Sequence, residues 1–561
     1  MRLPSWNFNR QESVHDYAGV LVPLDEAHLH SHSARVGKTE FEEAPDEDAD
    51  EAYDGLEADA VKDQENESTG MLQMSAAEYT IDGLRREVRK GGGRAGHSDL
   101  WMQGVSLTLP SLSQEFDVSE KTVRYTTSSL FAGLCVGSFF WGLGADIIGR
   151  RVAFNFTLLI TSVFGIWAAY APSWGSVCFL FACLGTGVGG NLPVDGAVFL
   201  EFLPDASSSL LTLLSVWWPV GQLVSSFFAW YFITNWPIDE GWRHFVKTIG
   251  LVTLVMFLVR FFVFHLFESP KFLLTQGRQA EAVAVVHGMA YRNGKKTWLT
   301  EEILDAVADG EGGSAAQARA QARPLRAVST TAIIKENLTS MSLDHIRPLF
   351  QNRTLGITTL LIWFCWATIG MGYPLFNAFL PQYLSHGSGS SSSAEAAAAE
   401  GGGATTPEAY RNYAIMSVVG VPGSLLAAYA VDHKSRFLGR RGTLACSTLV
   451  SAAFLFLFAA VGGASPAAQL LFTCVESFCQ NIMYGVLYAF TPEVFPAPVR
   501  GVGTGAASFL NRVAGLVAPV LAANVPGDGA TVPIYMSAAL ILAAFGGMVL
   551  IPIETRGRQR L

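Results

Sequence analysis

The chain has 561 residues, of which 50% are apolar and only 15% charged, against about 25% charged in soluble proteins. Many apolar runs exceed 18 residues, which excludes a soluble globular protein and predicts a multi-pass membrane protein. The net charge of −10 belongs to the first 97 residues, where 21 Asp/Glu face 10 Lys/Arg, so the membrane part is near neutral and no nucleic-acid partner is expected.

Residues 1–97 are polar, acidic and irregular, most of all from Glu40 to Glu67, and read as a disordered acidic cytosolic tail. They hold no apolar run of signal-peptide length. Asn66 and Ser68 fit a glycosylation sequon, but the topology below leaves it in the cytosol, unused. The first apolar segment, Leu100 to Leu112, is about 13 residues long and too short to cross at ~1.5 Å per residue. The basic, glycine-rich stretch before it, Arg85 to His97, cannot enter a bilayer. The missing half-helix suggests a lost exon or a mis-spliced message.

Full spans are predicted at about 125–146, 152–171, 174–201, 207–233 and 245–267. After a charged linker they resume at about 354–384, 411–432, 442–462, 466–491, 501–523 and 533–553. The domains are therefore the tail (1–97), an N-terminal helix bundle (98–267), a cytosolic linker (268–353), a C-terminal helix bundle (354–553) and a short cytosolic tail (554–561). The linker carries an amphipathic helix at Gln279 to His287. Loop 385–409 is low in complexity and reads as flexible. The seven Cys are scattered, mostly inside spans, without metal spacing. No metal and no cofactor are expected.

The span ending at Pro204 is the most informative. Gly185 and Gly189, and Gly187 and Gly190, lie three or four apart, so little side chain keeps a neighbouring helix away. Pro193 has no N–H and leaves the Gly189 carbonyl without its helical donor. Asn191 and Asp195 are four apart and share a face. They are either polar glue between helices or part of a pathway, which ionisable groups in spans usually mark.

Lys/Arg asymmetry fixes orientation. One set of loops holds Arg150, Arg151, Lys271, Arg278, Lys434, Arg436, Arg440, Arg441, Arg500, Arg556, Arg558 and Arg560. The other holds Lys121, Arg124, Arg243 and Arg411. The first set is assigned to the cytosol, and with it both termini. The chain also repeats itself. Asp146, Gly149, Arg150 and Arg151 correspond to Asp432, Gly439, Arg440 and Arg441. Glu201 and Pro204 correspond to Glu493 and Pro496, and Glu268 to Glu554. Matched pairs in the same order predict two homologous six-helix halves, with a substrate site between them at midplane.

These motifs resemble those of the major facilitator superfamily. Gly142 through Asp146 to Gly149, Arg150 and Arg151 looks like its loop motif, and Glu268 to Arg278 and Pro492 to Gly501 look like sugar-porter motifs. Gly187 to Asp195 with Leu214 to Gln222 is similar to a fungal branch related to synaptic-vesicle-type and metabolite:proton symporters. The resemblance implies an all-α membrane protein with the major facilitator fold, its first helix truncated here. It also implies that Asp146, Glu201, Glu493, Arg150, Arg440 and Arg500 form ion pairs that close the cytosolic side and break when it opens. On this reading Gly142, Gly149, Arg151, Asp432 and Arg441 complete the cytosolic gate.

Candidates for the substrate and proton pathway are Asp99 and Gln103 on the first segment, Asn191 and Asp195, Trp217, Trp218 and Gln222, Tyr373 and Asn377 on one face, then Glu476, Gln480 and Asn481, and Asn511 and Arg512. Glu476 suits either the cavity or a salt bridge on the extracellular side. Arg260 either counters an acid or, the favoured reading, snorkels to the cytosolic interface. A proton-coupled carrier needs a carboxylate that is protonated in one state and released in another. Asp195 qualifies by chemistry, and Asp99 competes by family position.

The expected function is secondary active transport of a small polar metabolite, such as a sugar, organic acid or vitamin-like compound, coupled to protons and working by alternating access. No nucleotide-binding loop points to an ATP-driven pump, and no catalytic cluster points to an enzyme. A transporter-like sensor, or an inactive product lacking half of the first helix, are the rivals. The expected partners are the lipid bilayer, the substrate and protons, with the chain a monomer in the plasma membrane or an internal, vacuolar or vesicular, membrane.

Overall fold

A computed structural model of the chain describes residues 13–17, 20–21, 99–148, 150–202, 212–213, 215–262, 267–268, 270, 273, 278–293, 296–297, 299–301, 347–350, 352–381, 383, 407–431, 439–461, 465–495, 500–525 and 531–553. The helices run in order α1 (99–115), α2 (Tyr125–Ile148), α3 (Arg150–Ala168), α4 (Trp174–Phe202), α5 (Trp217–Asn235), α6 (Ile238–Phe262), α7 (Gln279–Asn293), α8 (Arg353–Tyr373), α9 (Pro407–Val431), α10 (Arg440–Val461), α11 (Pro466–Val494), α12 (Arg500–Asn524) and α13 (Thr531–Leu550). No sheet forms among the described residues. Two compact units result, one built around α1–α6 and α8–α13, the other around α7.

Seven of the described helices, α6 and α8–α13, are long and apolar enough to cross a membrane by length and composition. The bundle's outward faces, on these helices and on α2, α4 and α5, carry large apolar side chains such as Phe140, Phe179, Phe227, Leu360, Tyr429 and Leu550. Lipid, which has no groups to hydrogen-bond, suits such a surface. The chain is thus a multi-pass integral membrane protein. Within the bundle α3 packs on α6 and α5 on α6. Separately, α11 packs on α9 and α10, and α8 on α12 and α13. The pairs α2–α12 and α5–α9 join these two sets.

The predicted spans coincide with helices, with four instructive departures. First, α1 is helical over 99–115, longer than the apolar segment. Its last turn continues through Ser113, Gln114 and Glu115 because Glu115 is neutralised by Arg243 of α6, 2.5 Å away. Trp242 also donates to this carboxylate, so a charge stands where periodicity alone predicts an end. Second, the span predicted from 207 is not one helix up to Gln222. A turn at Ser215 and Val216 precedes α5, because Pro219 cannot donate to the Ser215 carbonyl. That carbonyl instead accepts Trp218 N–H at 3.1 Å and the Ser424 hydroxyl of α9 at 3.4 Å.

Third, α6 begins at Ile238, seven residues ahead of the predicted start at 245. Asp239 and Glu240 fall in its first turn, where acids oppose the positive end of the helix dipole. Fourth, the span predicted over 354–384 is regular only to Tyr373. Pro374 deprives the Gly370 carbonyl of its donor, and the backbone widens into a single π turn, Pro374–Ala378.

The glycines of α4 are contact points, on two faces. A Cβ on Gly185 or Gly189 would run into the carbonyls of Leu130 or Leu134 on α2, and one on Gly187 into Thr157 and Thr161 of α3. Backbone thus lies on backbone. The Gly189 carbonyl freed by Pro193 has a replacement donor, the Ser138 hydroxyl of α2 at 2.9 Å. Overpacking typically costs about 1–3 kcal/mol, and rigid backbone cannot yield as a side chain can. Gly185→Val is therefore expected to lower the thermal unfolding midpoint in detergent and to reduce folded yield, while Cys183→Ala, two residues away and about 200° around the helix from that contact, changes neither. An unaltered midpoint in Gly185→Val would refute the contact.

Helix ends follow local chemistry. Asn352 caps α8 by accepting Thr354 N–H at 3.1 Å, and Ser465 caps α11 by accepting Ala468 N–H at 3.2 Å ahead of Pro466. Gly439, the repeat partner of Gly149, enters α10 with φ 138°, a conformation side chains resist.

In the other unit the predicted amphipathic helix runs to Asn293, past His287. It gathers Phe267, Leu273, Ala282 and Val285 into a small core. Residues 14–17 and 20–21 were assigned to the disordered tail. They are instead ordered here: Tyr17 lies edge-on to Phe267, with ring centroids 6.4 Å apart, and Leu21 bridges to Thr297. Within this acidic segment Tyr17 is the side chain that packs against the small core beside α7.

Candidate functional site

A cavity of about 90 Å³ lies where α1, α2, α5, α8, α11 and α12 converge. Asp99 and Met102 come from α1, Phe131 and Leu134 from α2, and Trp218 and Gln222 from α5. Tyr373 and Pro374, then Gln480, Asn481, Tyr484 and Tyr488, and finally Asn511 and Arg512 complete the wall, with Val188 of α4 and Gly370 of α8. The volume is below the ~150 Å³ of a cavity that holds benzene, so a ring-sized solute requires the walls to part.

The polar groups are ordered by one another. Gln222 Nε2 donates to the Tyr373 hydroxyl at 3.4 Å, and the Asp99 carboxyl is beside Gln222. Asn481 is anchored by donating to the Ser477 carbonyl at 2.8 Å. The aromatic wall is continuous. Trp218 and Trp366 each stand edge-on to Tyr488 with centroids 4.7 Å apart, and Tyr484 stands perpendicular to Tyr373 at 5.7 Å. Edge-to-face packing of this kind holds rings in fixed orientations.

Of the predicted pathway residues, Asp99, Gln222, Tyr373 and Asn481 meet at the cavity, as do Trp218, Gln480, Asn511 and Arg512. Trp217 does not line it. Trp218 and Gln222, four apart, share the inward face of α5, and Trp217 is one helical step off that face. Asn377 is also not on the wall. The π turn rotates it away from Tyr373, and it is buried behind, donating to Gln480 Oε1 at 3.0 Å while its carbonyl accepts the Tyr413 hydroxyl at 2.6 Å. Gln103, one turn beyond Asp99, is buried outside the wall near the same Tyr413 hydroxyl.

Glu476 is 1% exposed, and neither carboxylate oxygen accepts a hydrogen bond. No salt bridge holds it among the described residues; it lies about 15 Å along α11 from Pro466. Asn377 is its neighbour. The side chains of Asn191 and Asp195 lie outside the described residues. Arg260 does not snorkel: it is 8% exposed and donates from Nε to Asn155 Oδ1 of α3 at 3.2 Å, so it is turned into the bundle.

At one end of the bundle the gate residues are described in part. Arg440 Nη1 and Glu493 Oε2 are 2.6 Å apart and nearly dry, at 9% and 5% exposure. This pair fastens α10 to α11 within one set of helices and does not cross the central cleft. Arg441 donates to the Val549 carbonyl of α13, within the same set. Gly142 lies in α2. The side chains of Asp146, Arg150, Arg151, Glu201 and Arg500, and residues Gly149 and Asp432 entirely, lie outside the described residues.

The opposite end holds contacts that sequence reasoning missed, having counted Arg124 and Arg243 only as orientation markers. Arg124 is 3% exposed, donates to the Ala522 carbonyl at 2.8 Å and covers the Phe379 ring at 5.0 Å. Asn524 donates to the Tyr125 hydroxyl at 2.9 Å, and Lys121 reaches the Val525 carbonyl at 3.5 Å. These bonds zip the start of α2 to the end of α12. Arg243 donates to the carbonyls of Ala169 and Ala171 as well as to Glu115. The only signal in the sequence was the rarity of cations on that side.

An all-helical bundle enclosing a polar, aromatic-walled cavity between two sets of membrane helices is the architecture of a membrane carrier. Residues 97–519 match the Major Facilitator Superfamily. The chain is 42% identical over 476 residues to the MFS siderochrome iron transporter 1 of Ceriporiopsis subvermispora, covering 82% of this chain and 85% of that one. It is 40% identical over 479 residues to an uncharacterized MFS-type transporter of Schizosaccharomyces pombe, covering 82% and 83%. A partially occluded inward open structure of the xylose transporter XylE from E. coli superposes with a TM-score of 0.60 at 16% identity, over 84% of this chain and 99% of that one. The chain belongs to the major facilitator superfamily. Its work is transport across a membrane, not catalysis.

Proposed function

We propose that the chain is a proton-coupled secondary transporter of a small polar metabolite, an organic acid, sugar or vitamin-like compound. Two six-helix halves, 98–267 and 354–553, alternate access to the cavity between them. Both termini face the cytosol, in the plasma membrane or an internal one, and the chain acts as a monomer of the fungal sugar-porter-like, synaptic-vesicle-related branch. The observation that carries this reading is the Asp99 carboxyl on the wall of a central cavity, beside Gln222 and facing rings that hold no counter-charge. A carboxylate on the wall of a bundle cavity is costly when charged, so its proton can serve as the coupling ion. Asp99 is taken for this role because it lines the cavity, whereas the side chain of Asp195 lies outside the described residues. The siderochrome cargo in one relative's name is said of that relative and is not carried over to this chain.

Uptake of a panel of labelled sugars, carboxylates and vitamins is to be measured at two pH values in cells lacking the gene and in cells expressing it. Accumulation of one class, stronger at acidic external pH, is the expected result. Binding without movement of any solute would favour the sensor reading.

A further inference from the structure

Arg512 is 3% exposed, yet no carboxylate accompanies it among the described residues. Its Nη1 donates to the Leu134 carbonyl of α2 at 3.3 Å and its Nε to Ser508 Oγ at 3.5 Å, both long, and its Nη2 has no acceptor. A guanidinium offers five N–H donors in a planar fork. A buried one without an anion is expensive, and a carboxylate is the group that fits the fork with two parallel bonds.

Arg512 also lines the cavity, and the only other ionisable acid or base on the wall besides the tyrosines is Asp99, to which no ion pair joins it. When Asp99 carries its proton, Arg512 is the one fixed charge facing the space. The rings of Trp218, Tyr484 and Tyr488 give that space flat sides. We infer that Arg512 is the docking point for the carboxylate of a small planar organic acid.

The Leu134 carbonyl, which now occupies Arg512, also accepts the Ser138 hydroxyl at 2.6 Å. That hydroxyl has one proton and a second acceptor, the Gly189 carbonyl of α4. A carboxylate that draws Arg512 away loosens α2 from α12 in the middle of the bundle. The Leu134 carbonyl, inside α2, then keeps the helical N–H four residues on as its donor, and the Ser138 hydroxyl can stay with the Gly189 carbonyl, so neither is left bare. Substrate binding thereby removes a tie between the two sets of helices without stranding a buried polar group, which is the requirement for a carrier that moves only when loaded.

The inference takes the word substrate from the transport reading; the anion subsite itself stands apart from it. Purified full-length protein in detergent is to be titrated with benzoate, its neutral counterpart benzamide and its cationic counterpart benzylamine, following the unfolding midpoint. Ligands that bind only the folded state raise it. Benzoate is expected to raise the midpoint at millimolar concentration while benzamide and benzylamine do not. Arg512→Gln is expected to abolish the response, and Arg512→Lys to weaken it about tenfold by losing the fork. If the glutamine variant does not fold, the lysine variant and competition of labelled benzoate by other carboxylates against benzamide decide the matter. No benzoate shift in the wild type, or equal shifts in wild type and variants, overturns the inference. Uptake separates the two readings. Benzoate that binds while no solute of the panel is accumulated refutes transport and leaves the subsite. Accumulation of neutral solutes with benzoate silent refutes the subsite and leaves transport.

Discussion

Asp99→Asn is expected to abolish uphill accumulation while leaving exchange of substrate across the membrane intact. One proton moved with each substrate across one pH unit supplies about 1.4 kcal/mol, a tenfold accumulation on the alkaline side. Asparagine keeps the shape and resembles the protonated acid, but it can neither take up nor release a proton. The variant's internal-to-external ratio should therefore fall from about ten toward one under a one-unit gradient. Counterflow, which needs no net driving force, should continue, because Gln222 and Tyr373 keep their bond at the cavity wall. Proteoliposomes with an imposed pH gradient provide both readouts. Unchanged accumulation in the variant would remove Asp99 from the coupling step and return attention to Asp195. Loss of exchange along with accumulation would make Asp99 a substrate ligand.

Separating Arg440 from Glu493 should have the largest effect on stability. Both side chains are nearly dry, so solvent screening, which reduces most surface pairs to less than about 1 kcal/mol, has little hold here. Removing one partner of such a pair typically costs about 3–5 kcal/mol, because a charge remains buried without its counterpart. Arg440→Gln and Glu493→Gln should each lower the unfolding midpoint sharply. The double variant, which removes both charges of this pair, should lie above the sum of the two losses. Strict additivity in the double-mutant cycle would mean that the contact carries no coupling energy. Because the pair ties α10 to α11 within one set of helices, transport should fall with the folded fraction and not through a changed balance of open states. A transport defect at full stability would instead make it a moving part of the gate.

What the sequence determined was everything written in local runs. Apolar segments of membrane length, the repeated loop motifs and the cation asymmetry identified a multi-pass carrier of this superfamily. They also placed α2, α4 and α10–α13 within a few residues, because span length and end chemistry depend on neighbours along the chain. The need of the Gly189 carbonyl for an outside donor was legible too, since Pro193 alone creates it. The identity of that donor, Ser138 on another helix, was not.

Partner choice belonged to the tertiary structure throughout. Trp217 and Trp218 are equivalent in composition, and only the phase of α5 after the Ser215 turn selects Trp218. The π turn after Pro374 moves Asn377 off the face of Tyr373. Arg124 and Arg243, indistinguishable in the sequence from any exposed cation, are half-buried or buried because carbonyls at the ends of other helices accept their protons. Arg512 stands on the cavity wall without an ion-pair partner among the described residues because α12 meets α2 and α11 there. Periodicity says which residues share a face; it takes the packing of separate helices to decide what that face meets, and in a membrane an unpartnered polar group that meets nothing is the one most in need of a ligand.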